Sequence, residues 1–285
     1  MSQQSNIKAP AVAGYFYPAD RRYLERNMVN ALGREKEQID RHRVSGTIIG
    51  GIVPHAGISY CSSQAVHFFE LARRSQQPFD TVVIAHPNHY GYGPAMSVDG
   101  HEFWETPMGM AAVDTEFMDA LNLPVSASAQ QQEHSAEVIV PWIQYFIPGP
   151  PRIVPVNIRR QDPTHACLLA EKVYRANKHL KRNLLFVAST DFSHFLSPAK
   201  ASCLDELVIN EILAKNKEGM VQTILKKEIS VCGYGPVMAL MAYAEMVDPA
   251  YTATILRKGH SGEVSPSDKV VSYVSMLFTS SFSGA

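Results

Sequence analysis

The sequence predicts an α/β fold with a mostly parallel central sheet flanked by helices on both faces. Short β-branched and aliphatic runs alternate along the chain with longer segments of helical periodicity, a pattern typical of βαβ units. Four runs, at 47–53, 81–85, 153–158 and 184–188, are largely apolar, as strands buried on both faces are. The 285 residues contain no linker long enough to separate domains, so we expect a single domain over 1–285.

Helices are predicted between and after these runs. The helical spacing of apolar residues places them at 62–74, 113–121, 136–147, 164–176, 200–214, 217–227 and 236–246. The last of these is apolar almost all round and is expected in the core. Segments 251–256 and 269–277 are predicted to be strands that form an antiparallel edge, because turn residues lie between them.

Composition narrows the class of partner. The net charge of −1 disfavours nonspecific nucleic-acid binding, which depends on a basic surface, and gives no reason to expect an anionic membrane as partner. The four cysteines form no CxxC pair, and the first residues lack the apolar stretch of a signal peptide. We therefore expect a cytoplasmic protein with free thiols.

Ionisable side chains follow the predicted strands. His55 follows the first run, His86 and His89 the second, and Asp191 and His194 the fourth. In open parallel sheets, ligands bind beyond the carboxyl ends of the strands, so these residues are expected at one edge. Each has a structural alternative: the imidazole of His55 could bond only the backbone, His86 could be structural, and Asp191 could cap a turn.

Two further motifs carry candidate site residues. His134 and Glu137 are three residues apart, which places them on one face of a helix that Ser135 could cap. Cys232 precedes the most apolar helix, and a thiol near a helix N-terminus is expected to have a lowered pKa. A small buried hydrophobe is the alternative for this cysteine.

The motifs together resemble a known family. In chain order they are AGYFYP, PHAG, PNH, EHSAE, STDFSH and CGYGP. This set, at these intervals, resembles the Memo family over nearly the whole chain. Prokaryotic members are similar to the middle component of the AmmeMemoRadiSam system, which implies Ammecr-type and radical-SAM proteins as partners.

The resemblance implies a fold similar to that of the class III extradiol dioxygenases, which hold Fe(II) with two histidines and a glutamate. By that resemblance, His55 and His89 occupy the two histidine positions and Cys232 replaces the glutamate. His194 occupies the position of the acid–base histidine, with Asp191 beside it.

The other motif residues have supporting roles by the same resemblance. His134 and Glu137 match the family's HSxE motif and are expected to line or support the pocket, with His86 near them. Two histidines and a thiolate form a softer ligand set than two histidines and a carboxylate. Fe(II) is the expected ion, and copper or zinc would also suit this set.

Three functions remain open at this point. The first is a metal-dependent redox enzyme, an oxidoreductase of iron or copper, in which His194 would move a proton and Asp191 would orient the His194 ring. The second is a non-catalytic module that binds a peptide or small anion in the same pocket, or docks onto the radical-SAM or Ammecr-type partner. The third is zinc-dependent hydrolysis, for which the sequence identifies no scissile bond.

Overall fold

The computed structural model describes residues 6–281. Eleven strands form within this range. They are β1 (Ile7–Lys8), β2 (Ile48–Val53), β3 (Thr81–Pro87), β4 (Met96–Val98), β5 (Phe103–Thr106), β6 (Gly109–Ala112), β7 (Arg152–Ile158), β8 (Leu184–Ser189), β9 (His194–Leu196), β10 (Thr252–His260) and β11 (Val270–Thr279).

Nine α-helices lie in the same range. They are α1 (Arg21–Ile39), α2 (Ile58–Arg74), α3 (Thr115–Leu121), α4 (Ala127–Gln130), α5 (Val140–Phe146), α6 (Pro163–Leu180), α7 (Pro198–Leu213), α8 (Lys217–Lys227) and α9 (Tyr234–Val247). Two 3-10 turns, Glu137–Ile139 and Ser261–Glu263, complete the regular structure there. Among residues 6–281, no helix combines the length and apolar character that crossing a bilayer would require.

The central sheet has the strand order β10-β11-β2-β8-β3-β7-β4, and β9 pairs with β11 beside it. The four middle strands, β2, β8, β3 and β7, are parallel to one another. Strands β10 and β11 form the predicted antiparallel edge, and β4 adds a second antiparallel edge on the other side. The predicted α/β fold class is therefore confirmed, with antiparallel pairing at both edges of a parallel centre.

Helices cover both faces of this sheet, as two adjacent glycines in β2 show. A Cβ on Gly51 would lie 2.3 Å from the Phe68 ring of α2, whereas a Cβ on Gly50 would lie 3.0 Å from Leu240 of α9. Successive residues of a strand point to opposite faces, so α2 and α9 pack on opposite sides. The absence of side chains at these glycines lets both helices approach the sheet closely.

The structure also contains elements that the sequence did not predict. Helix α1 begins after Asp20, whose carboxylate accepts the Tyr23 N–H, and it buries Leu24 and Met28. A small separate sheet has the order β1-β5-β6. The segment predicted as a helix over 136–147 is instead a 3-10 turn followed by α5, and Ser135 uses its hydroxyl elsewhere.

Candidate metal centre

The carboxyl ends of β2, β8 and β3 bring the predicted residues to one edge of the sheet. His55 lies two residues beyond β2, His89 lies two residues beyond β3, and Asp191 lies two residues beyond β8. Since these three strands are parallel neighbours, their ends meet at the same edge, as the strand-end rule predicts.

Three imidazoles converge at this edge. The ring centroids lie 5.2 Å apart for His55 and His89, 5.6 Å apart for His55 and His134, and 4.7 Å apart for His89 and His134. One ligand atom from each ring lies within 4.8 Å of those of the other two. His55 is buried, His134 is half-buried and His89 is exposed. This group could hold a metal ion.

A chain of hydrogen bonds fixes the tautomer of His55. The Ser189 hydroxyl donates its one hydrogen to the Ser135 carbonyl over 2.6 Å, so its oxygen accepts from the His55 Nδ1–H at 2.8 Å. Nε2 of His55 therefore keeps its lone pair. Burial, and then the nearby histidines His134 and His89, hold the pKa of His55 well below its usual range, so the ring is neutral at pH 7 and can bind a cation.

Glu133 orients His89 and was missed by the sequence reasoning. Its carboxylate accepts the His89 backbone N–H at 2.6 Å and the Nδ1–H at 2.9 Å, which leaves Nε2 of His89 as the free ring nitrogen. Burial alone would raise the pKa of Glu133, but hydrogen bonds from His89 and the charge of His86 lower it below its usual range. A carboxylate in this position makes a ligating imidazole more basic. The EHS motif, in which Glu133 directly precedes His134, was the sequence signal that could have identified Glu133.

His86 lies inside β3 rather than in the loop after it, and it is fully buried. Its Nδ1 lies 3.1 Å from the Pro87 carbonyl oxygen and 2.9 Å from the Ser135 hydroxyl. Ser135 in turn lies within hydrogen-bonding distance, 2.8 Å, of Glu133 Oε1. His86 thus contacts Ser135, which bonds Glu133 and so lies beside the residues that orient His55 and His89.

The buried histidines make the metal-free fold sensitive to acid. Burial lowers the pKa of His86 to about 4 and that of His134 to about 4, against an ordinary value of 6.5. The unfolded chain therefore binds more protons than the folded chain between these values. The contribution of these two neutral histidines to the free energy of unfolding is fully present above about pH 6.5 and is lost as the pH falls towards 4.

We expect the free energy of unfolding of the metal-free protein, measured by urea titration at several pH values, to fall steeply below about pH 6.5. Each histidine contributes a slope of up to about 1.4 kcal/mol per pH unit in this window. His134→Gln should reduce that slope, whereas His179→Gln, which alters an exposed histidine, should leave it unchanged. Equal slopes in the wild type and in His134→Gln would show that His134 is not held neutral by the fold.

Cys232 meets His55 directly. Its Sγ lies 3.3 Å from His55 Nε2 and accepts the Asp191 N–H at 3.2 Å. The thiol is not part of the three-histidine group, although it contacts that group's most buried member. Burial, and then the carboxylate of Asp191, raise the pKa of Cys232 far above its usual value. The expected lowering by the N-terminus of α9 is therefore wrong for the metal-free protein, because these two effects outweigh the helix dipole.

Asp191 fixes the turn that carries His55. Its Oδ1 accepts the His55 N–H at 2.9 Å, and its carboxylate also accepts from the Ala56 backbone. Burial raises the pKa of Asp191 to about 6, opposed by the charge of His194. No hydrogen bond from Asp191 to the His194 ring occurs among the contacts of the described residues, so the carboxylate acts on this histidine through its charge.

Ser230, and not Asp191 as the sequence predicted, orients the His194 ring. The Ser230 carbonyl accepts the Nδ1–H of His194 at 2.8 Å, and the Ser230 hydroxyl accepts the His194 backbone N–H at 2.8 Å. Nε2 of His194 is therefore the proton-accepting nitrogen. Phe195, which follows it, has φ +59° and is 71% exposed, a strained backbone for an aromatic residue. Strain of this kind is often found at functional sites.

Glu137 anchors the N-terminal segment beside the three histidines. Its carboxylate pairs with Lys8 Nζ at 2.6 Å and accepts the N–H groups of Ala11 and Val12 at 2.9 Å and the Tyr17 hydroxyl at 2.8 Å. Both charged groups are buried. The segment so held brings the Phe16 ring to 4.5 Å from the His134 ring, so Glu137 supports the pocket wall indirectly.

A cavity of about 930 Å³ lies at the opposite, amino-terminal edge of the sheet, where Thr47, Phe79 and Leu184 line it. None of the converging histidines contributes to its lining. A cavity volume alone carries no chemistry. The ligand atoms and their fixed tautomers therefore identify the candidate centre, and the size of a cavity does not.

Comparisons with known proteins show which family the chain resembles over nearly its whole length. The family model described as Memo-like protein matches residues 8–277. A MEMO1 family protein of Pyrobaculum aerophilum is 33% identical over 280 residues, covering 95% of this chain and 99% of that protein. A MEMO1 family protein of Ignicoccus hospitalis is 36% identical over 286 residues, covering 95% and 98%.

Among solved structures, an uncharacterized protein of Escherichia coli K12 matches with a TM-score of 0.47 and 14% identity, covering 73% of this chain and 90% of that one. The match to the family model and the full-length relatives decide the assignment: the chain belongs to the Memo family.

Proposed function

We propose that this protein is a metal-dependent redox enzyme whose ion is bound by His55, His89 and Cys232. Iron(II) is the first candidate, and copper is the second. The observation that carries the proposal is the pairing of His55 Nε2, left with its lone pair, with Cys232 Sγ at 3.3 Å. His89, whose ring centroid lies 5.2 Å from that of His55, is the third ligand.

The nitrogen of His55 and the sulfur of Cys232 are spaced as two ligands of one ion would be. Metal–nitrogen and metal–sulfur bonds of roughly 2.0–2.3 Å place two neighbouring ligand atoms between about 3 and 4 Å apart. The separation of 3.3 Å between His55 Nε2 and Cys232 Sγ lies within that range. The raised thiol pKa lowers the apparent metal affinity at neutral pH but does not prevent binding, because a coordinated cation displaces the proton of a thiol. When bound, the ion would supply one-electron chemistry and open coordination positions.

The surrounding residues have distinct roles in this proposal. His194 accepts a proton at Nε2, since its Nδ1 is held by Ser230. Asp191 holds the turn of His55 through the His55 N–H. His134, whose buried Nδ1 lies 3.5 Å from Glu133 Oε1 without a hydrogen bond, lines the pocket in this proposal.

Exposed aromatic rings favour a second candidate function. Tyr60, Tyr90 and Phe195 are 43%, 49% and 71% exposed, and the last two directly follow His89 and His194. Exposed aromatic residues beside a site often form binding hot spots. In this second candidate the pocket binds a peptide without turnover. In either case Ammecr-type and radical-SAM proteins are the partners we propose.

Dioxygen consumption by iron(II)-loaded protein, purified without oxygen and supplied with ascorbate as the electron donor, tests the choice between these functions. We expect stoichiometric iron and measurable dioxygen uptake in the wild type. His194→Ala should keep the iron but lower the uptake by roughly 10²-fold or more, the usual effect of losing a general base. Full iron content with no dioxygen uptake in the wild type would favour the binding module, and an absence of bound metal would contradict the proposal.

A further inference from the structure

The loop that carries Cys232 is held by a side chain from a different strand end. Gln161 lies three residues beyond β7. Its Nε2 donates to the Cys232 carbonyl at 2.7 Å, and its Oε1 accepts the Gly235 N–H at 2.8 Å. Both ends of the amide are therefore used, and its orientation is fixed because only Nε2 can donate to a carbonyl and only Oε1 can accept from an N–H.

Two glycines let the loop fit between its neighbours. A Cβ on Gly235 would lie 2.9 Å from Gln161 Cβ, and a Cβ on Gly233 would lie 2.4 Å from the Ser189 carbonyl oxygen and 2.6 Å from Thr190 Cβ. Side chains at these positions would displace the loop. In the CGYG motif, Gly235 thus permits a close approach to Gln161 after β7, and Gly233 permits a close approach to the end of β8.

The N–H and the sulfur of Cys232 both bond to the backbone of Asp191, which follows β8. Its N–H donates to the Asp191 carbonyl at 3.3 Å, and its Sγ accepts the Asp191 N–H at 3.2 Å. The carbonyl bond from Gln161 is the contact that holds Cys232 from the other side. The peptide group after Cys232 is held at both ends, because the Gly233 N–H donates to Thr190 Oγ1 at 2.8 Å and the Cys232 carbonyl accepts from Gln161. Without the Gln161 bond only the Gly233 end stays tied, and the sulfur would be less firmly fixed relative to His55 Nε2.

We infer that Gln161 is a positioning residue of the centre, which fixes the sulfur of Cys232 at ligand distance from His55. This inference rests on the proposed function for its consequence, namely metal affinity. Its structural content, that Gln161 restrains Cys232, stands independently of any metal. None of the sequence motifs contains Gln161. Its role could not be read from the sequence because its partner, Cys232, is 71 residues away along the chain.

Titration with Co(II), monitored through the near-ultraviolet thiolate-to-cobalt charge-transfer band, tests the consequence. Gln161→Met, which removes both hydrogen bonds, should lower Co(II) affinity by roughly 10-fold or more, as loss of an outer hydrogen bond at a metal site does, and should weaken the band. Gln222→Met, at an exposed position of α8, should change neither.

Gln161→Glu separates positioning of the cysteine from support of the helix. A glutamate keeps the acceptor for Gly235 N–H but loses the donor to the Cys232 carbonyl. If Gln161 acts through Cys232, Gln161→Glu should share the loss of affinity and band. A Gln161→Glu variant with wild-type affinity and band would limit Gln161 to supporting α9, and unchanged values in Gln161→Met would also overturn the inference.

A second measurement needs no metal. The rate at which iodoacetamide alkylates Cys232, followed by mass spectrometry of its peptide, should rise about fivefold in both Gln161 variants, the factor for losing one ordinary hydrogen bond. Equal rates in the wild type and both variants would contradict the inference. A wild type that binds Co(II) without a thiolate band would instead refute Cys232 as a ligand, while the alkylation rates would still test Gln161.

Discussion

Replacing His55 with alanine is expected to lower the affinity for iron(II) by more than about 100-fold, beyond the loss of roughly 10–100-fold typical of residues that only support a ligand. His55 supplies the lone pair that the Ser135–Ser189 hydrogen bonds leave exposed, and it is the residue that contacts Cys232. Equilibrium dialysis of anaerobically prepared protein would measure the change.

Two other histidines serve as controls for this variant. His134→Ala should lower the affinity by less than about 10-fold if His134 lines the pocket without binding the ion, because a supporting contact has an effect at the low end of that range. His179→Ala alters an exposed histidine and should have no effect. An equal loss in His134→Ala and His55→Ala would instead assign the ion to the three imidazoles.

Removing the carboxylate of Glu137 is expected to have the largest effect on stability. Glu137→Ala leaves Lys8 buried without its partner and removes the acceptor for Ala11, Val12 and Tyr17. Breaking a buried ion pair by removing one partner typically costs about 3–5 kcal/mol. Urea denaturation of the metal-free protein would measure the loss in free energy of unfolding.

An exposed ion pair gives the matched control. Glu25 pairs with Arg21 on α1, and the Arg21 side chain is 62% exposed, so Glu25→Ala should lower the free energy of unfolding by no more than about 1 kcal/mol. If Glu137→Ala lowered the free energy of unfolding by as little as Glu25→Ala, the N-terminal segment would not be held through the Glu137 carboxylate.

The sequence predicted the position of the candidate centre because that position follows from strand order and strand ends. Apolar runs that stop at His55 and Asp191 need only be parallel neighbours for these residues to meet. Helices with strong periodicity, such as α8 over Lys217–Lys227, were also predicted correctly. The short strands β4, β5 and β6 were not, because three or four residues are too few to show a period.

The hydrogen bonds that orient the ligands could not be read from the sequence. Ser135 and Ser189 are 54 residues apart, and only the fold brings the hydroxyl of one to the carbonyl of the other. For the same reason, the short spacing between Asp191 and His194 favoured Asp191 as the orienting residue, although Ser230 has that role. The pKa of Cys232 depends on its burial, which its position before a helix does not reveal.

A crystal structure of the iron(II)-loaded protein, with anomalous data collected at the iron edge, would test the central claim most directly. The account predicts one anomalous peak at bonding distance, roughly 2.0–2.3 Å, from a ring nitrogen of His55, a ring nitrogen of His89 and the sulfur of Cys232. A peak bonded to His134 and remote from the sulfur, or no peak at this edge of the sheet, would contradict it.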